Sequence, residues 1–152
     1  MEKLYFKDLD TTTWSGKTII LDIDGTITTD GGSMVDPLVL DKIKEISQHN
    51  FLFLFSNKKV AERNAALSNE LGIPYLQTTF KKPNKKILES LPSDKRSNII
   101  VVGDKTLTDG MFAKNIGASF VKVKRLTSKN DTLTIKLIYL LDAIGGYFWN
   151  IE

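Results

Sequence analysis

The chain has 152 residues, 41% of them apolar and 26% charged, with a net charge of +3 and a pI near 9.0. That length suits one domain, expected over 1–152, with a sizeable core. There is no cysteine, which excludes a disulfide framework, a cysteine-based zinc site and a thiol nucleophile. No run approaches the ~18 apolar residues of a membrane span, and Met1 to Asp8 lacks a signal peptide's apolar stretch. A cytoplasmic setting is the expectation.

Strand-like and helix-like runs alternate along the chain. Lys17–Ile23 is an Ile-rich apolar run bounded by Gly16 and Gly25. Asp36-Pro37 opens a helix, with Asp as N-cap and Pro at the first position, and Leu40, Ile43 and Ile46 form its apolar stripe. Phe51–Phe55 is a short, wholly apolar run, as in a strand covered on both faces. Lys58–Leu71 reads as a helix stopped by Gly72. Ile73–Leu76 reads as a short strand, and Pro74 argues for an edge or a strand start. A helix from Pro83 to about Leu91, a β-branched strand Asn98–Val102, a helix from about Thr108 to Ile116 and a strand Ala118–Val123 follow. A last helix, about 132–146, carries Leu133, Leu137, Leu140, Leu141 and Ile144 on one stripe, with Gly145-Gly146 as its end. The expected fold is an α/β, Rossmann-like three-layer sandwich with a mostly parallel, five-stranded sheet. Ligands of such sheets bind beyond the carboxyl ends of the strands.

Polar residues stand where these strands run out. Asp22 and Asp24, two apart, lie on one side of a strand end, and carboxylates held so close repel unless a cation or a shared proton relieves them. Ser56-Asn57 follows the second strand, Lys81-Lys82-Pro83 the third, and Gly103-Asp104 the fourth, with Asp109 five residues beyond. Singly, Ser56 and Asp109 also suit helix caps. Together the set suits phosphoryl transfer. An Asp carboxylate is a recognised nucleophile, Mg²⁺ takes carboxylates and phosphate oxygens, and Lys and Ser bind phosphoryl oxygens. The clumps Lys58-Lys59, Lys81-Lys82, Lys85-Lys86 and Lys122–Arg125 are solvated surface or a field that attracts an anionic substrate. No nucleic-acid motif accompanies them, and no specific nucleic acid is expected as partner.

This order of motifs resembles the haloacid dehalogenase-like (HAD) hydrolase superfamily over roughly 17–123. Asp22-Ile23-Asp24-Gly25-Thr26 resembles its first motif, Ser56 its second, Lys82-Pro83 its third, and Gly103-Asp104 with Asp109 its fourth. Ser56-Asn57-Lys58-Lys59 and the run Val102–Gly110 resemble more narrowly subfamily IIIA, the YqeG-like phosphatases, which include phosphatidylglycerophosphate phosphatases. Gly25 stands where those relatives often carry Asn, and Lys105 where Gln is usual.

The resemblance implies a Mg²⁺-dependent phosphomonoester hydrolase in which Asp22 attacks phosphorus and Asp24 is general acid, then general base. Metal ligands would be Asp22, the Asp24 carbonyl, Asp104 and, directly or through an orienting contact, Asp109. Phosphate would be bound by Ser56, Asn57, Lys82, Gly25 and Thr26; Lys82 is preferred to Lys81 because the family's lysine precedes proline. The short gaps from Asp24 to Ser56 and from Ser56 to Lys82 leave no room for an inserted cap, so a capless, open site is implied. Lipid phosphate such as phosphatidylglycerophosphate is the leading substrate; sugar or nucleotide phosphate is the alternative, and a non-catalytic phosphate-binding module a second one. The loop Thr28–Ser33 is a flap or an ordinary connection. The last helix, followed by Tyr147-Phe148-Trp149, is expected to pack on the sheet; peripheral contact with a membrane is its alternative, and an oligomer is compatible with an open site.

Overall fold

The computed structural model describes residues 3–149. Its sheet contains β1 (Thr18–Asp22), β2 (Phe51–Phe55), β3 (Ile99–Gly103) and β4 (Ser119–Lys122) in the order β2-β1-β3-β4, all pairs parallel. Between them lie α1 (Pro37–Ser47), α2 (Ala61–Leu71) and α3 (Met111–Ile116), and α4 (Leu133–Trp149) follows the last strand.

The central strands are apolar at consecutive positions because both faces are covered. Ile19, Leu21, Leu52, Leu54, Ile100 and Val102 share one core with Val39, Ile43 and Ile46 of α1 and Leu67 of α2. Their chain neighbours Ile20, Phe53, Phe55, Ile99 and Val101 turn to the other face, against Phe112 and Ala113 of α3 and Ile87. Local signals match this order. Asp36 Oδ1 accepts from the Leu38 amide at 2.8 Å ahead of Pro37, a cap worth about 1 kcal/mol. Gly72 closes α2 in the left-handed conformation with φ 65°.

The structure departs from expectation at four places. The sheet has four strands, not five: Ile73–Leu76 makes only an isolated bridge, Leu54 with Tyr75, because Pro74 supplies no amide to a ladder. The segment after Pro83 is a 3₁₀ turn, Lys85–Ser90, capped by Asn84, not an α-helix. The helix expected from Thr108 is preceded by a π-helical turn, Thr106–Gly110, a form common at functional sites.

The fourth departure is α4. It does not stop at Gly145-Gly146 but runs on to Trp149. A Cβ at Gly145 would lie 2.7 Å from the Leu107 side chain, and one at Gly146 3.2 Å from Thr106 Oγ1, so the two glycines let the helix lie close on the π turn. Nor does its apolar stripe pack on the sheet. Leu133, Leu137, Leu140, Leu141 and Ile144 are each about half exposed or more, and no α4 residue belongs to either core.

Candidate active site

The parallel register brings the strand ends level. Asp22, the last residue of β1, pairs with Phe55, beside Ser56; Leu21 pairs with Val102, one residue before Gly103-Asp104. The side chains that follow therefore meet at one edge. Lys82 Nζ donates to Asp22 Oδ1 at 2.6 Å and to Asp109 Oδ1 at 2.5 Å, and all three groups are buried. Lys81, the competing lysine, is exposed. Asp22, Asp104 and Asp109 offer oxygens that lie within 4.8 Å of one another. Asp109 is held by the π turn, where its Oδ2 accepts from the Lys105 amide at 3.1 Å. It is no helix cap. Gly103 permits this, since a Cβ there would meet the Asp109 carboxyl at 2.3 Å.

Three carboxylates face two ammoniums here, because Lys105 Nζ reaches Asp104 Oδ1 at 3.3 Å. Burial, then Asp109 and Asp104, push the Asp22 carboxyl up to about 7 in spite of Lys82 and Lys105. Burial also raises Asp104. Burial opposes the charge on Lys82, yet Asp109 and Asp22 hold its pKa above the ordinary lysine value. A buried, all-oxygen donor set with negative charge in excess fits a hard divalent cation, and Asp22, Asp104 and Asp109 are the residues to hold it.

Asp24 lies apart from that cluster. Arg63, from the first turn of α2, donates to its Oδ1 at 2.6 Å and to its Oδ2 at 3.0 Å. Ser56 Oγ adds a bond to Oδ2 at 2.6 Å and the Gly31 amide one to Oδ1 at 2.8 Å. Burial raises the Asp24 carboxyl, but these donors and the guanidinium charge outweigh it and hold it at about 2. In this arrangement Asp24 is an ionised carboxylate.

The remaining expected residues divide. Ser56 and Asn57 line a cleft of about 430 Å³ together with Asp22, Asp24 and Lys82. Asn57 also brackets the lysine's backbone, accepting from the Lys82 amide at 2.8 Å and donating to its carbonyl at 3.1 Å. Gly25 and Thr26 do not line the cleft, and their amides bond within their own turn, to Thr28 and Ile23. Thr26 Oγ1 sits 3.4 Å from Asp22 Oδ2. Gly25, at φ 81°, is needed for room, because a Cβ there would lie 2.2 Å from Asp104 Oδ2 and 2.6 Å from Tyr139 Oη. A second cleft, of about 450 Å³ between α2 and Tyr75, contains no carboxylate.

Several residues at the site escaped the sequence reading. Arg63 was hidden among the polar positions of α2. Tyr139 donates to Asp104 Oδ2 at 2.5 Å and carries Arg125 on its ring at 3.4 Å. Asp142 accepts from the amides of Thr106 and Leu107 at 3.0 and 2.7 Å. Tyr139 and Asp142, polar and three apart in a largely apolar helix, are the signal that would have marked the inward face of α4. The loop Thr28–Ser33 is tied at Gly31 to Asp24 and by an Asp30–Lys58 ion pair. Among the described residues no inserted cap domain lies over the cleft, but Thr132, Thr134, Ile135, Ile138 and Tyr139 form one wall of it.

Known proteins resemble this chain in sequence family and in fold. The family model described as mitochondrial PGP phosphatase matches residues 5–126. Among solved structures, the chain is similar in fold to YfnB from Bacillus subtilis, assigned to the HAD-hydrolases and crystallised bound to magnesium. The TM-score is 0.58 at 13% identity, over 70% of this chain and 86% of that one. No curated protein matches the chain. The family match spans the strands, the lysine and all four carboxylates, and the chain belongs to the mitochondrial PGP phosphatase family, a phosphatase of the HAD superfamily.

Proposed function

We propose that the protein is a Mg²⁺-dependent phosphomonoesterase that works through an aspartyl-phosphate on Asp22. The observation that carries this reading is the Lys82 ammonium set between Asp22 and Asp109, with Asp104 beside them, at the floor of a cleft. Asp22 forms a bond from its carboxylate oxygen to phosphorus as the ester P–O bond breaks, and the leaving oxygen takes a proton from Asp24. Asp24 then takes a proton from water as that water attacks phosphorus, and the Asp22 carboxylate is released with inorganic phosphate. Lys82 steadies the attacking carboxylate and the phosphoryl oxygens, and Ser56 donates to the phosphoryl group once it no longer serves Asp24. Mg²⁺, when bound, supplies charge neutralisation for the phosphoryl oxygens, with Asp22, the Asp24 carbonyl, Asp104 and Asp109 as its holders. Because Asp24 is ionised within the Arg63 fork, its service as an acid requires it to leave that fork and collect a proton.

The substrate we infer is a lipid phosphate such as phosphatidylglycerophosphate. The family name and the apolar wall that Ile135 and Ile138 give the cleft support it. Sugar and nucleotide phosphates would leave that wall unused. The test is hydrolysis of a phosphomonoester panel with and without Mg²⁺, comparing the lipid phosphate in mixed micelles with glycerol 3-phosphate and nucleoside monophosphates. Release of phosphate from none of them, a generic aryl phosphate included, sinks the reading; release only from the small esters overturns the lipid assignment.

A further inference from the structure

The helix α4 lies outside the residues that the family model matches, and it is built the wrong way round for a core helix. Its polar side chains Tyr139 and Asp142 point inward, to Asp104 and to the amides of the π turn. Its apolar side chains point outward: among the described residues, eight of the thirteen exposed large apolar side chains belong to it. Leu133, Leu137, Leu140, Leu141, Ile144 and Phe148 follow at spacings of three, four and one, a helical stripe along the whole element. Leu133 is 84% exposed and Phe148 79%. Solvent-facing apolar patches of this extent mark interaction surfaces.

The geometry points to the bilayer surface of a membrane containing anionic lipid as the occupant of this face. Two observations choose it. First, the stripe carries no carboxylate: the only acid of α4, Asp142, is buried against Thr106 and Leu107, whereas Lys136 and the neighbouring Lys129 are exposed. Second, the stripe runs into the mouth of the cleft through Ile138, which is 48% exposed and also lines the cleft, where Lys58 and Lys105 stand. A face with apolar residues at its centre and ammoniums at its rim complements anionic headgroups over an acyl interior. A second copy of this chain on the same face would set the lysines of the two copies against each other and cover both clefts. No helix among the described residues is long and apolar enough to cross a membrane, and α4, held along one side by Tyr139 and Asp142, would meet the bilayer with its other side, in the interface. The docking deepens the lipid-phosphate reading and rests on it for its purpose: a headgroup phosphate reaches Asp22 while the lipid's tails stay in the bilayer.

The test is flotation of the full chain with vesicles of phosphatidylcholine alone and of phosphatidylcholine with phosphatidylglycerol, compared with the double variant Leu137→Glu, Leu141→Glu. These two side chains are about half exposed, and neither lines the cleft. The wild type is expected to float with the anionic vesicles and the variant to stay in the soluble fraction, while both hydrolyse a soluble aryl phosphate at the same rate. That equal rate shows that the variant is folded and reads the catalytic proposal separately from the docking. A wild type that stays soluble with both vesicle types overturns the docking, as does a variant that floats as well as the wild type. A wild type that is a dimer by light scattering, made monomeric by the substitutions and absent from the lipid fraction, assigns the face to a second copy and overturns it too.

Discussion

Arg63 grips both carboxylate oxygens of Asp24, at 2.6 and 3.0 Å, across a separation of 39 residues in the chain. The pair joins the first turn of α2 to the loop that leaves β1, and the Gly31 amide and Ser56 hydroxyl close the carboxylate's remaining positions. Both partners are nearly buried, so removal of one strands the other. Arg63→Met is expected to cost about 3 kcal/mol of stability, as when a buried ion pair loses one member. Chemical denaturation should read that loss, and a change below about 1 kcal/mol would mean that water already serves both groups.

Asp22→Asn is expected to abolish turnover, by on the order of 10⁴-fold or more, because it removes the oxygen proposed to attack phosphorus. It should not harm the metal-free fold, since it relieves a carboxylate that burial and two neighbouring acids already disfavour as an anion. The measurements are aryl phosphate hydrolysis and a thermal melt without metal. A variant with wild-type rate would displace Asp22 as the nucleophile. Asp24→Asn is expected to lose ~10²–10⁴-fold, the range for general acid–base catalysis.

The two adjacent lysines should separate cleanly. Lys82→Met is expected to lose activity and to leave Asp22 and Asp109 facing each other without an ammonium between them. Lys81→Met, at an exposed position, should change neither kcat nor stability noticeably. Equal losses from both would show that the positive field of the surface, rather than the buried ammonium, serves the phosphoryl group.

Metal and pH should act on stability together. The folded pKa of Asp22, about 7, lies above the ~3.9 of an unfolded aspartate, so the folded protein binds the extra proton in the window between them. Metal-free stability therefore falls as pH rises through that window and levels off above it. Asp24, shifted the opposite way, adds stability above the unfolded pKa and loses it only as pH falls toward about 2, outside the same window. Under the proposed mechanism Mg²⁺ would bind the ionised cluster, so its effect on Tm should be larger at pH 8 than at pH 5. At about a hundredfold excess over Kd it contributes ~2.7 kcal/mol, or roughly 5–10 °C in a chain of this size. Equal gains at both pH values, or an undiminished gain in Asp104→Asn, would argue against these carboxylates as the metal's holders.

Asp142→Ala should loosen α4 from the π turn. Its carboxylate takes up the amides of Thr106 and Leu107, and their loss of a charged acceptor is expected to cost about 1–3 kcal/mol. Hydrogen exchange should rise along α4 and at Thr106 and Leu107 while β1 and β3 stay protected. Uniform protection would mean that packing at Gly145 and Gly146 holds the helix without it.

The parallel α/β order, the helix stop at Gly72 and the meeting of Asp22, Ser56, Lys82 and Asp104 at one sheet edge were all legible from the residues. Periodicity and turn chemistry are local properties, and the rule that strand ends carry the ligand site is topological. Whether Ile73–Leu76 becomes a full strand depends on ladder bonds that Pro74 weakens, and the sheet settled for one bridge. The partner of Asp24 was decided only by tertiary structure, since nothing local links Asp24 to Arg63 and burial alone makes their pairing matter. Tertiary structure also turned α4 outward. An apolar stripe of period 3.6 says that a helix has a greasy face; it does not say which side is held, and here Tyr139 and Asp142 were bound to Asp104 and two backbone amides, which left the leucines to face outward.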